Sequence, residues 1–129
     1  MQPLFRPIGL NHVSLHVADM ERSTKFYEAL LGPSSADKNG KEGRTVKFEK
    51  GGLLGWITYG VNPVGVDHFC VSVEGYEPDA VSEKLKQNGI PSQRLYQPNQ
   101  VFVRDPDGIL VQLAASEDVQ RTPQSSGKK

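Results

Sequence analysis

Apolar and polar side chains alternate along residues 10–17, LNHVSLHV. His12, Ser14 and His16 fall on one face, and the valines and leucine between them fall on the other. This two-residue period is typical of a β-strand with one buried face. The pattern therefore predicts a strand that presents two histidines and a serine on one surface.

The spacing of the apolar residues then lengthens to four. Phe26 and Leu30 are four positions apart, as expected for the apolar stripe of a helix. Asp19 is a typical N-cap residue, and Gly32 is typical of the residue that ends a helix. The sequence thus predicts a helix between these two positions, followed by a polar loop over 33–43.

Two strands are predicted to complete the first half of the chain. RTVKFEK (44–50) and GLLGWITY (52–59) both have the apolar content of strands. The adjacent glycines Gly51 and Gly52 indicate a tight turn between them.

The same order of elements returns with an offset of 56 residues. VDHFCVSV (66–73) lies over LNHVSLHV, which places His68 over His12, and DPDGILVQ lies over EKGGLLGW, which places Gln112 over Trp56. Repeats of this length indicate duplicated supersecondary units that pack against each other. We therefore expect the functional site where the two copies meet.

The second copy also contains a helix and several strands. Pro78 is suited to a first helical turn, and Gly89 ends the apolar stripe that follows. RLYQ (94–97) predicts a weak strand, and VFVRDPDGILVQLAA predicts two strands joined by a hairpin turn at Gly108. Residues 117–129 lack the apolar content that ordering requires and are predicted to be a flexible tail.

The composition restricts the classes of partner. Fifteen basic and fifteen acidic residues cancel without a run of like charge, which argues against nucleic acid and anionic membranes as partners. The single Cys70 cannot form an intrachain disulfide, and we expect neither a membrane-spanning segment nor a secretory leader. If Met1 is the natural start, we expect a cytoplasmic protein with one domain, 1–116, that binds a small molecule.

The strings LNHVSLHVADMERSTKFYEALLG, VDHFCVSV and VFVRDPDGILVQL resemble the vicinal oxygen chelate superfamily. That superfamily groups glyoxalase I, fosfomycin-resistance proteins, extradiol dioxygenases and bleomycin-resistance proteins. The resemblance implies an α+β fold in which two tandem βαβββ modules, 8–60 and 64–115, form an open, cup-shaped mixed β-sheet with the helices on the outside. It also implies a homodimer in which both chains build the cup.

The resemblance further implies one divalent metal ion per site, Fe, Mn, Zn or Ni, held by His12, His68 and Gln112. A single strand histidine is more often structural, but the repeat superposes two of them. The family more often has glutamate where Gln112 stands, and a neutral amide attracts a cation less and cannot move a proton as a carboxylate does. Trp56 is either a core aromatic or marks an open coordination position for substrate.

Six residues are predicted to line the substrate cup: Ser14, His16, Trp56, Cys70, Phe102 and Arg104. His16 is either a general base or anion-binding group, or a partly solvated residue at a strand end, and it is a candidate catalytic residue together with Gln112. Arg104 either pairs with a substrate carboxylate or, as we favour, anchors the acidic hairpin turn that follows it.

Two classes of function fit these residues. The first is a metal-dependent enzyme whose substrate chelates the metal through neighbouring oxygens during a lyase, isomerase or dioxygenase step. Thiol transfer of the fosfomycin type is disfavoured, because the basic cluster that a phosphonate requires is missing. The second is a metal-free protein that sequesters a planar or aromatic ligand, as bleomycin-resistance proteins do, and a scaffold with a decayed site is a further alternative.

Overall fold

The computed structural model describes residues 2–37, 40–58 and 63–116, with only the backbone described at 37 and 40–42. The elements, in chain order, are β1 (Pro7–His16), α1 (Met20–Leu31), β2 (Ser35–Asp37), β3 (Gly40–Lys47), β4 (Leu53–Ile57), β5 (Gly65–Val73), α2 (Pro78–Gln87), β6 (Gln93–Arg94), β7 (Val101–Arg104) and β8 (Leu110–Ala114). Each half of the chain is a strand, a helix and three strands. The predicted α+β fold with two βαβββ modules is therefore confirmed.

The eight strands form a mixed sheet in the order β2-β3-β4-β1-β5-β8-β7-β6. β1 pairs in parallel with β4, and β5 pairs in parallel with β8. Antiparallel pairing joins β3 to its neighbours β2 and β4, and β7 to its neighbours β6 and β8. Since β2 and β6 end the strand order, the sheet is open, as predicted.

The chain divides into two compact units. The central unit lies between positions 12 and 68, and the terminal unit combines the residues up to 11 with those from 69 onward. The core of the central unit is built from Val17, Val46 and Trp56, with Tyr27 of α1 packed against it.

Helix α1 begins and ends as the sequence predicts. The Asp19 side chain accepts a hydrogen bond from the backbone N–H of Arg22 at 3.0 Å, which satisfies one of the free donors of the first turn. At the other end Gly32 has a φ of 103° and donates its N–H to the carbonyl of Glu28. A side chain at Gly32 would be strained by that φ, which explains the glycine.

Helix α2 covers the core of the terminal unit. Val81 and Leu85 of the helix form a buried cluster with Val101 of β7. Burial of each such aliphatic side chain is worth about 1.5–3 kcal/mol. Glu77 caps the helix by accepting from the N–H groups of the second and third helical residues, and Pro78 is the first residue of α2, as predicted.

Two of the predicted segments need correction, and a third lies outside the described residues. The predicted loop at 33–43 is partly strand, because β2 and the beginning of β3 fall within it and pair with each other. The weak strand predicted at 94–97 lies slightly earlier, as β6. Residues 117–129, predicted to be a tail, lie outside the described residues. Neither described helix has the length and apolar character needed to cross a membrane.

Candidate functional site

The two histidines that the sequence repeat superposes lie side by side in the central unit. Nε2 of His12 is 3.1 Å from Nε2 of His68. The two rings are nearly perpendicular, with an interplanar angle of 82° and centroids 5.2 Å apart. Their Nε2 lone pairs or protons therefore point towards a shared position.

Asp67 orients one of these rings. Its Oδ2 lies 2.8 Å from Nδ1 of His68, and the side chains of Asp67 and His68 are only 5% and 6% exposed. Because a carboxylate only accepts hydrogen bonds, we infer that Nδ1 of His68 carries a proton and donates it. In the neutral ring it is then Nε2 that carries the lone pair, and this atom lies on the side of His12. Sequence reasoning missed Asp67, since adjacent strand residues normally point to opposite faces.

The separation of the two Nε2 atoms fits a shared metal ion. Two histidine nitrogens about 2.0–2.1 Å from one zinc ion lie about 2.8–3.4 Å apart for ligand angles between a right angle and the tetrahedral angle. The observed 3.1 Å falls within that range. Among the described residues no group of three or more His, Cys, Asp or Glu side chains could hold a metal. Within the described part of the chain, a third ligand beside the two histidines would therefore be of another residue type.

The same face of β1 carries two further predicted site residues. Ser14 and His16 follow His12 at two-residue intervals and are 6% and 7% exposed. Nδ1 of His16 is buried and has no hydrogen-bond partner among the described residues. His16 is thus the last residue of β1, and its side chain is buried, not partly solvated.

Trp56 occupies the opposite face of the sheet. In the β1–β4 pairing it lies beside Leu15, not beside a residue of the histidine face. Its indole Nε1 donates to Oγ1 of Thr24 in α1 at 3.0 Å, and its ring stacks on Tyr27 with centroids 4.7 Å apart. The structure therefore places Trp56 in the core beneath α1, which differs from the prediction that it lines the substrate cup.

Gly55, not Trp56, is the structural counterpart of Gln112. Gln112 pairs with Cys70, two residues after His68, and Gly55 pairs with Ser14, two residues after His12. The repeat offset in the last strand is therefore 57 residues rather than 56. A one-residue slip moves every side chain of a strand to its other face. No sequence signal marked this slip, because the residues around Gly55 are apolar on both sides of the strand.

The terminal unit groups three of the other predicted residues. Gln112 on β8 pairs with Cys70 on one side and with Phe102 of β7 on the other. All three side chains are almost completely buried, and Nε2 of Gln112 has no hydrogen-bond partner among the described residues. Phe102 also makes an edge-to-face contact with the ring of Tyr96.

Cys70 and Arg104 have surroundings that suit structural roles. Burial raises the pKa of the Cys70 thiol, so the thiol stays protonated and unreactive near neutral pH. Arg104 is exposed and donates from Nη1 to the carbonyl of Gly108 at 2.8 Å. It therefore anchors the hairpin turn, in which Asp105 Oδ1 also accepts the N–H groups of Asp107 and Ile109.

The match to a known protein family covers nearly the whole described fold. Residues 9–113 match the sequence model of the Glyoxalase/Bleomycin resistance protein/Dioxygenase superfamily. The chain belongs to this superfamily. The predicted vicinal oxygen chelate resemblance is therefore confirmed, and binding of a small-molecule substrate is the function common to the superfamily.

Solved structures with the superfamily fold include both short and long chains. The protein is similar to methylmalonyl-CoA epimerase from Mycobacterium tuberculosis, with a TM-score of 0.62, 17% identity, and coverage of 94% of this chain and 97% of that one. It is also similar to homoprotocatechuate 2,3-dioxygenase from Arthrobacter globiformis, with a TM-score of 0.63, 20% identity, and coverage of 88% of this chain and 38% of that one.

An extradiol ring-cleaving dioxygenase from Brevibacterium fuscum gives a TM-score of 0.68 at 18% identity, with coverage of 88% of this chain and 34% of that one. This chain thus spans about a third of the length of the dioxygenase chains and nearly all of the epimerase chain. At these identities the likeness concerns the fold.

Proposed function

We propose that this superfamily member is a divalent-metal-dependent enzyme acting on a small substrate that presents two neighbouring oxygens. The observation that carries the proposal is the 3.1 Å approach of the His12 and His68 Nε2 atoms, together with the Asp67 carboxylate on Nδ1 of His68. Histidine ligands of metal ions almost always donate their other ring N–H to such a partner.

His12 and His68 would hold the ion, with Gln112 as the third ligand implied by the family resemblance. Fe, Mn, Zn and Ni all accept imidazole nitrogen together with oxygen ligands. Bound there, the ion would supply Lewis acidity that stabilises negative charge developing on the substrate oxygens. Because Gln112 is neutral, we expect weaker metal binding than a glutamate at that position would give.

The protein's own residues contribute positioning and proton control. Asp67 would hold the proton of His68 on Nδ1, and Gly55 lies beside Ser14 on the histidine face. His16 supplies a buried ring nitrogen that can hydrogen-bond a substrate oxygen. These features suit a lyase, isomerase or dioxygenase step, and Gln112 and His16 remain the candidate catalytic groups.

Metal content is the decisive measurement. Protein purified without an affinity tag or chelator, and then incubated with iron, manganese, nickel or zinc, should contain about one divalent ion per chain by elemental mass spectrometry. The ion should be lost in His12→Ala and His68→Ala but kept in Gln87→Ala, a change on the exposed surface of α2. A wild-type protein that holds no metal after these incubations would reject the proposal.

A metal-free binding protein of bleomycin-resistance type is the second candidate. The same 3.1 Å separation is a good hydrogen-bond distance, so His12 can donate from Nε2 to the lone pair of His68 without any ion. Gln112→Glu separates the two functions, since tighter metal binding in that variant supports the enzyme. An unchanged, negligible affinity supports the binding protein.

Two further features complete the proposal. We expect a homodimer, which light scattering coupled to size-exclusion chromatography tests by the mass in solution. We also expect a cytoplasmic location, which fractionation of the producing cells tests. Neither changes the roles proposed for His12 and His68.

A further inference from the structure

Gln112, the proposed third ligand, has one amide atom that a metal ion would not use. An amide binds a cation through its oxygen, so Nε2 with its two hydrogens is left over. This atom is buried and has no hydrogen-bond partner among the described residues. Folded proteins contain few buried polar atoms without a partner, because each one destabilises the fold. A group that accepts from Nε2 would remove this penalty and would also decide which way the amide faces.

Gln100 carries the complementary atom. Its Oε1 is an acceptor that is likewise buried and without a partner in the described part of the chain. Of the three buried side-chain atoms that lack a partner among the described residues, two are therefore an amide donor and an amide acceptor. Both belong to the terminal unit.

The register of the last two strands places these side chains near each other. Phe102 of β7 lies opposite Gln112 of β8, and Val101 lies opposite Leu113. Val101 and Leu113 pack in the cluster beneath α2, so Phe102 and Gln112 point to the other face of the sheet. Gln100 is two residues before Phe102, which makes it the diagonal neighbour of Gln112 on that face. Diagonal neighbours have Cβ atoms roughly 7–8 Å apart, which long side chains can bridge.

The segment that carries Gln100 is held by hydrogen bonds to its backbone. Nη1 of Arg94 donates to the carbonyl of Pro98 at 2.6 Å. The hydroxyl of Tyr76 donates to the carbonyl of Asn99, the residue before Gln100, at 2.5 Å. A side chain on a backbone that is fixed in this way can keep a neighbouring ligand in one orientation.

We propose that Gln100 is a positioning residue for Gln112: its Oε1 accepts a hydrogen bond from Nε2 of Gln112 and so turns Oε1 of Gln112 towards the metal ion. Rotation about the side-chain bonds of the two glutamines makes each unpaired atom the partner of the other. The effect on the ion rests on the proposed metal-dependent function. The hydrogen bond itself requires no metal.

Gln100→Met tests the effect on the ion, because methionine keeps the length of glutamine and removes its strong acceptor. The dissociation constant for zinc, measured by competition with a chromophoric chelator, should rise about 10–100-fold, as for other residues that orient metal ligands. Gln100→Glu keeps an acceptor oxygen at the same place and should bind zinc at least as tightly as wild type. Gln93→Met, the same change at an exposed residue of β6, should leave the constant unchanged.

Two results of this experiment would overturn the proposal. One is an unchanged zinc dissociation constant in Gln100→Met. The other is an equal loss of affinity in Gln100→Met and Gln100→Glu, because that result indicates that Gln100 acts through packing alone.

A measurement on metal-free protein separates this proposal from the metal-dependent function. The side-chain amide signals of Gln112, assigned by their loss in Gln112→Met, are recorded in a proton–nitrogen-15 spectrum of chelator-treated protein. A hydrogen-bonded amide proton of Gln112 should shift upfield in Gln100→Met but not in Gln93→Met. If wild type binds no zinc, the proposed enzyme fails, while this signal still decides the hydrogen bond. An unmoved Gln112 signal in Gln100→Met would reject the positioning role whether or not zinc binds.

Discussion

Asp67 and His68 are neighbours in β5, yet the carboxylate of the first reaches Nδ1 of the second at 2.8 Å. Both side chains are buried, so water screens this contact little. The pair therefore controls which nitrogen of His68 faces His12, and its effect on the proposed metal site can be measured separately from its effect on folding.

Asp67→Asn should weaken divalent-metal binding by about 10–100-fold, the usual effect of changing the partner of a histidine ligand. The amide oxygen of asparagine can still accept the Nδ1 proton, so the fold should persist. Competition with a chromophoric chelator measures the metal Kd. Glu74→Gln, which changes an exposed carboxylate, serves as the control. An unchanged Kd in Asp67→Asn would show that this carboxylate does not tune a ligand.

Trp56 should affect stability and not metal binding, because it lies beneath α1 on the face opposite His12. Replacing a buried tryptophan by alanine typically costs about 3–5 kcal/mol. Thr24→Val should cost about 1–3 kcal/mol, since it leaves the indole N–H without its acceptor. Urea denaturation measures both. Weaker metal binding in Thr24→Val, at unchanged stability, would contradict this placement.

The sequence predicted the module order, the caps of α1 and the superposition of His12 on His68 in the repeat, because each depends on local patterns and on a clear repeat. It did not predict which residue corresponds to Gln112. Strand register depends on hydrogen bonds to neighbouring strands, and the apolar residues on both faces of β4 leave a one-residue slip invisible in the pattern. Asp67 was missed for a related reason, since its contact breaks the usual alternation of side chains.

Gly55→Glu tests the corrected correspondence with Gln112. A carboxylate at Gly55 would lie on the histidine face, and Gly55→Gln is a control of equal size without the charge. If this position corresponds to a ligand position, Gly55→Glu should bind a divalent ion about tenfold more tightly than Gly55→Gln, which is about 1.4 kcal/mol. Trp56→Glu should instead unfold the protein, because it buries an unpaired charge under α1. Equal metal affinities in the two Gly55 variants would refute the ligand correspondence.

Cys70 should make the stability of the protein fall at alkaline pH. Burial raises the pKa of its thiol in the folded state above the value of about 8.5 expected for an unfolded chain. A raised folded-state pKa means that the stabilising contribution is complete below the unfolded value and is lost as the pH rises above it.

Between pH 9 and 10 the free energy of unfolding should therefore decrease by up to about 1.4 kcal/mol per pH unit from this group. Burial also raises the pKa of Tyr76, to about 12, so its contribution is lost in the same direction but only above the unfolded tyrosine value of about 10. Urea denaturation of the wild type and of Cys70→Ala across this pH window isolates the contribution of the thiol to the free energy of unfolding.

In the native protein a thiol reagent at pH 8 should react with Cys70 only at the rate of unfolding. Rapid labelling of the folded protein, or an equal pH dependence in Cys70→Ala, would show that the thiol is accessible or does not contribute.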